Sequence, residues 1–163
     1  MLFRSQGVDG WREGDRLLVQ TEDRLLDLPL PNLHGAHQID NASLAVLAAL
    51  ALNHPAIDEA AMAKGLTQVQ WPARFQRFGD RFIVDGAHNA HSATALVQTW
   101  REVFAGRQAT VVFGALADKD YPEILALLEP LAERFLFAPV DNPRSESPAA
   151  LASRIRRPAQ VHG

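Results

Sequence analysis

Asp85, His88, Asn89 and His91 crowd into one stretch, FIVDGAHNAHSATALVQTW (82–100), where an apolar run gives way to a helix-like pattern. A carboxylate at a strand end can accept two hydrogen bonds from a ribose diol, or it can cap the helix that follows. His88 and Asn89 stand near the helix start, where unpaired N–H groups and the helix dipole favour anions. A solvated loop histidine is the plainer alternative for His88, and His91 reads as a surface or packing residue. Two further polar clusters follow apolar runs: Ala117-Asp118-Lys119-Asp120 after TVVFG, and Asp141-Asn142-Pro143-Arg144 after FLFAP. Lys119 can meet an incoming carboxylate, or be neutralised by the aspartates beside it. Arg74, between Pro72 and Phe75, can reach a phosphate from a linker, and Asn41 can cap a helix. Trp71 and Trp100 read as packing residues. The HxxH pairs His34/His37 and His88/His91 raise the question of zinc, but neither carries the HExxH pattern, so no metal ligands are assigned.

Positioning these groups requires an alternation of strands and helices. RLLVQ (16–20) and RLLDL (24–28), separated by TED, predict a hairpin, and LPLPN (28–32) is extended by its prolines. From Asp40 the Ala/Leu-rich run DNASLAVLAALALN predicts a helix capped by Asp40 or Asn41, stopped at Asn53-His54-Pro55 and buried on nearly every side. A second helix spans about Asp58 to Thr67 and ends around Lys64-Gly65. Gly79-Asp80 turns between two short strands. The order then becomes strand (82–84), helix (about 90–104), strand (110–114), helix (about 121–133), strand (135–139), with a last helix starting at Ser147-Pro148. Apolar strands between helices predict a parallel sheet, with all three polar clusters at the carboxyl ends of its strands. RRPAQVHG adds no closing strand to this scheme.

Composition bounds the function. A net charge of -3 and a pI near 6.0 give no polyanion-binding surface, so no nucleic acid is expected. No apolar run of about 18 residues occurs, and no membrane partner is expected. The absence of cysteine excludes disulfides and thiolate chemistry and suits a reducing compartment. The expectation is a soluble, cytoplasmic globular protein.

LPLPNLHGAHQIDNASLAVLAAL, WPARFQ, VDGAHNAHSA, FGALADKD and APVDNPRS, in that order, resemble bacterial bifunctional dihydrofolate synthase/folylpolyglutamate synthase of the Mur ligase superfamily. Each motif is weak alone, but five in order from about Leu17 onward are specific. The resemblance implies an α/β fold, a Rossmann-like C-terminal domain with a mainly parallel sheet, preceded by the tail of a central P-loop ATPase domain. Residues 1–68 would be that remnant, 69–74 a linker and 75–163 the C-terminal domain, truncated at its end. No GxxxxGK[ST] occurs, so an N-terminal ATPase region is expected as a partner and the chain alone is expected to be inactive.

Residue roles follow from the same resemblance. Asn41 would lie near the adenine of ATP, Arg74 would contact its phosphates and Asp85 would hold the ribose. His88 would serve the same closed interface, His88 and Arg74 being the catalytic candidates, and Lys119 would meet the carboxylate of the incoming amino acid. Ala90 departs from the family's proline after His-Asn, which loosens the helix start. The implied reaction adds L-glutamate to dihydropteroate or tetrahydrofolate through an acyl phosphate, using ATP and Mg2+. A stand-alone nucleotide-binding or regulatory module and a histidine-liganded metal hydrolase are the competing readings.

Overall fold

The computed structural model describes residues 3–5 and 8–161, and contacts divide the chain into two compact units, Met1–Asp85 and Gly86–Gly163. In the first, β1 (Phe3–Ser5), β2 (Val8–Glu13), β3 (Arg16–Gln20) and β4 (Leu25–Pro29) form an antiparallel sheet in that order. Burial alternates along β3 and β4, so Leu17, Val19, Leu26 and Leu28 face a core while Arg16 and Asp27 pair on the wet side. Two helices, α1 (His37–Leu52) and α2 (Glu59–Gln68), cover that face with Ala42, Val46, Met62 and Leu66. The approach is close: a Cβ on Gly10 would stand 2.5 Å from the Cβ of buried Ser43, so only glycine fits there.

Three expectations for these helices need correction. Helix α1 begins at His37 rather than Asp40, because a backbone turn leads into it: Gln38 N–H bonds Gly35 O and Ile39 N–H bonds Ala36 O, with no side-chain cap. Asp40 and Asn41 therefore sit inside the first turns, where the Asp40 carboxylate still complements the dipole. Nor is α1 buried all round. One sheet face and α2 cover a single stripe of it, leaving Leu44 46% and Leu52 66% exposed. Helix α2, capped by Asp58 accepting from Ala61 N–H, runs through Gly65 to Gln68.

After α2 the chain passes a turn at Ala73–Phe75 and forms the hairpin β5 (Gln76–Phe78) and β6 (Phe82–Val84), which reverses at Gly79 with φ +58°. Here β6 pairs with β5 in a two-stranded antiparallel sheet, correcting the expectation that 82–84 is the first strand of the parallel sheet. Gly79 supplies the left-handed turn that closes a local hairpin, and local pairing wins over a distant partner.

The second unit runs α3 (Ala90–Phe104), β7 (Ala109–Phe113), α4 (Tyr121–Leu128), a 3-10 turn (Glu129–Leu131), β8 (Ala132–Phe137), α5 (Pro148–Ala152) and β9 (Ala159–Val161). Strands β7, β8 and β9 form a parallel sheet in that order, so the α/β class and parallel sheet are as read from the sequence. Phe135, Phe137, Leu125 and Leu151 are fully buried at its centre. Two boundaries differ. Pro130 lies in the 3-10 turn after α4, and β8 starts at Ala132, earlier than expected. The end of the chain does supply a strand, β9, whose three short residues carried no periodic signal. Among the described residues no helix is long and apolar enough to cross a membrane.

Candidate functional site

In the first unit a cavity of about 620 Å3 is lined by apolar residues of α1 and α2 together with Gln38, Asn41 and Arg74. Asn41 donates to Gln38 Oε1 at 3.1 Å, and Gln38, only 5% exposed, donates in turn to His37 Nε2 at 2.9 Å. The spacing of residues 38 and 41 puts both amides on one helix face, so one polar strip meets an otherwise apolar hollow. Trp71, expected to pack, is 61% exposed at the edge of the same cavity, because the segment that carries it leaves α2 for the surface.

Arg74 also lines this cavity, and its backbone setting is unusual. The residues on either side, Ala73 (φ +55°) and Phe75 (φ +47°), are both left-handed although neither is glycine. Phe75 is nonetheless buried, with His34 edge-on to its ring at 5.8 Å. Ala73 N–H donates to Gln76 Oε1 at 3.0 Å and Phe75 N–H to Asp85 Oδ2 at 2.9 Å. Asp85 thus caps no helix: one of its oxygens holds the backbone beside Arg74.

In the second unit Asn89 is the N-cap of α3 and accepts from Ser92 N–H at 2.8 Å, while Ser92 Oγ accepts from His88 N–H at 3.0 Å and Asn89 N–H at 3.1 Å. Several N–H groups that an anion would need are already engaged by this cap. The Asn-x-x-Ser spacing announced it, yet Ser92 was not singled out from the sequence. His88 is exposed, with Nδ1 2.9 Å from Gly86 O. A carbonyl only accepts, so Nδ1 carries the hydrogen and Nε2 of the neutral ring is left as an acceptor. His91 is exposed on α3.

The clusters after β7 and β8 do come together. Arg144 Nη1 lies 2.9 Å from Asp118 Oδ2, and Ala117 N–H bonds Arg144 O at 2.8 Å. Gly114, at the end of β7, permits this approach, since a Cβ there would lie 2.6 Å from Ala138 O. Asp118 is therefore paired with Arg144, and among the described residues the exposed Lys119 has no ion pair. Nearby, Tyr121 donates to Glu146 Oε2 at 2.9 Å. That bond, then burial and the negative carboxylate, raise the hydroxyl pKa above its usual value against the opposing influence of Arg154. Among the described residues no three His, Asp or Glu side chains converge into a cation site.

Residues 73–163 match the family model described as Mur ligase, glutamate ligase domain. The chain is 34% identical over 137 residues to the dihydrofolate synthase/folylpolyglutamate synthase of Bacillus subtilis, covering 81% of this chain and 32% of that protein. It is 35% identical over 134 residues to the UDP-N-acetylmuramoyl-L-alanyl-D-glutamate--2,6-diaminopimelate ligase of Corynebacterium efficiens, covering 78% of this chain and 25% of that one. Among solved structures it resembles a bifunctional folylpolyglutamate synthase/dihydrofolate synthase of Yersinia pestis complexed with AMPPNP and Mn, with a TM-score of 0.75 and 33% identity over 90% of this chain and 35% of that chain. The chain spans about a third or less of the length of these relatives. With most of its residues inside the family model, the chain belongs to the Mur ligase family and carries its glutamate ligase domain.

Proposed function

We propose that this chain is the C-terminal part of an ATP-dependent ligase that joins L-glutamate to the carboxylate of dihydropteroate or a reduced folate in the cytoplasm. The observation that carries the reading is the shared cavity of Asn41 and Arg74, an amide and a guanidinium at one apolar hollow. A purine suits the apolar wall and the amide edge, and a phosphate suits the guanidinium. Asp85 accepts from Phe75 N–H, and a carboxylate, with two oxygens and several acceptor directions, is a suitable group for a ribose hydroxyl. In the second unit Lys119, without an ion pair among the described residues, is the candidate for the glutamate carboxylate and the His88 ring a candidate catalytic group. Residues 1–68 are read as the end of an ATPase domain, 69–74 as the linker and 75–163 as the ligase domain. The family match from residue 73 supports that junction, whereas contacts group the β5–β6 hairpin with the first unit.

In the reaction proposed, the folate carboxylate attacks the γ-phosphorus of ATP, and ADP leaves. The glutamate amine then attacks the acyl carbon, loses a proton, and phosphate departs as the amide forms. Arg74 would offset charge developing on the transferring phosphoryl group, and Lys119 would orient glutamate so that its amine meets the carbonyl. The described residues do not fit a dedicated divalent-cation site, so Mg2+ bound with ATP would take its ligands from elsewhere.

Reconstitution tests this. Mixed with the N-terminal region of the Bacillus subtilis relative, the chain should support ATP-dependent incorporation of labelled glutamate into dihydropteroate or tetrahydrofolate, and Arg74→Ala should remove it. A mixture that binds ATP yet forms no amide would favour the nucleotide-binding module instead.

A further inference from the structure

We infer that Gln76 and Asp85 are positioning residues that lock the Ala73-Arg74-Phe75 turn and so direct Arg74 into the cavity; what Arg74 does there rests on the function proposed above. Left-handed backbone at two non-glycine residues separated by one position is sparsely populated, and it persists only where the surroundings over-determine it. Two side chains do so here, each taking the N–H of one left-handed residue: Gln76 Oε1 that of Ala73 at 3.0 Å, Asp85 Oδ2 that of Phe75 at 2.9 Å.

The hairpin explains why these two positions serve. Gln76 pairs with Val84, so the next rung would set Phe75 opposite Asp85. Phe75 cannot continue the ladder with φ +47°, and the Asp85 carboxylate takes its N–H where a strand carbonyl otherwise would. On the other side, Gln76 reaches back three residues and closes a side-chain-to-backbone ring around Arg74. Burial of the Phe75 ring beside His34 anchors the C-terminal flank. Arg74 is left at the apex among the residues that line the cavity, with Nη1 3.4 Å from the Ala73 carbonyl oxygen.

Amide exchange in the 163-residue chain, read by NMR, tests the lock without reference to any activity. Gln76→Ala should speed exchange at Ala73 N–H, and Asp85→Ala at Phe75 N–H, each by about tenfold or more, as expected for loss of a hydrogen bond, the second one charge-assisted. Gln76→Glu, which keeps an acceptor, should restore slow exchange at Ala73, while amides of β3 and β4 stay unchanged in every variant. Unchanged exchange at Ala73 and Phe75 in the alanine variants would overturn the lock.

A second readout asks whether the lock serves Arg74. Affinity for ATP-Mg should fall by a similar factor in Gln76→Ala and Arg74→Ala, with no further fall in the double variant, while affinity for adenosine stays level. If the unaltered chain binds ATP-Mg and Gln76→Ala binds it equally well, the positioning role is wrong. If the unaltered chain takes up no ATP-Mg, the nucleotide reading of the cavity fails, and the exchange rates alone decide the lock.

Discussion

The two units hold their candidate groups in opposite ways. Around Arg74 the backbone is left-handed at two non-glycine residues, and side chains from Gln76 and Asp85 hold it. Beside His88, the side chains of Asn89 and Ser92 close a capping box at the start of α3. Lys119 lies in a turn with its N–H bonded to Leu116 O, ahead of an α4 start without a side-chain cap, and Asp118 pairs with Arg144 in the open. Conformation stored against a preference has to be maintained by many contacts at once, whereas a local turn or a helix cap with ordinary backbone is stable piece by piece. Substitutions near Arg74 should therefore be costly and coupled, and those near Lys119 small and independent.

The largest effect is expected at Phe75, which is 4% exposed beneath the turn. Phe75→Ala removes a buried ring and its support for the strained backbone, and should cost about 3–5 kcal/mol in denaturant unfolding of the first unit. A loss below 1 kcal/mol would mean the turn does not depend on that burial. Ser92→Ala comes next: losing one half of the capping box should lower stability by about 1 kcal/mol without changing exchange at Ala73 or Phe75. A change at those amides would erase the contrast between the two regions.

Alkaline titration sharpens the comparison further. The Tyr121 pKa is raised in the fold, chiefly by its bond to Glu146, so the protonated hydroxyl is favoured by folding. The stabilisation is complete below the unfolded value near 10 and disappears as pH rises through the folded-state pKa. Unfolding followed from about pH 9 to 12 should show that loss, and Tyr121→Phe should abolish this part of the pH dependence. The smallest effect belongs to Arg144→Gln. The Arg144 and Asp118 side chains are 63% and 49% exposed, and such a pair contributes about 0.5 kcal/mol or less.

Much of the framework was legible because it depends on local chemistry. Two apolar runs separated by Thr21-Glu22-Asp23 gave the β3–β4 hairpin, Asp58 and Ser147 announced the starts of α2 and α5, and the apolar run before Gly114 gave β7. What escaped notice depends on backbone conformation or on distant partners. The start of α1 is set by carbonyls of Gly35 and Ala36, and β9 is three residues that gain meaning only beside β8. The turn at Gly79-Asp80 between two short strands was legible, but among the described residues β6 pairs only with β5 and does not join the parallel sheet to which its apolar residues assigned it.

The site divides in the same way. Arg74, Asn41 and Asp85 were legible as residue types, and two of them meet at one cavity. The turn that presents Arg74 was not, since alanine and phenylalanine are poor advertisements for left-handed backbone and nothing marks Gln76 as its holder. Likewise the pairing of Asp118 with Arg144 rather than Lys119 depends on the crossing at Gly114.

Calorimetric titration of ATP-Mg into the unaltered chain, Asp85→Ala and Arg74→Ala tests the nucleotide reading of this cavity most directly. Binding to the unaltered chain that weakens by about tenfold or more in both variants is the expected result, since each removes a charged contact or the support for one. Equal affinity in all three chains, or no uptake by the unaltered one, would contradict it.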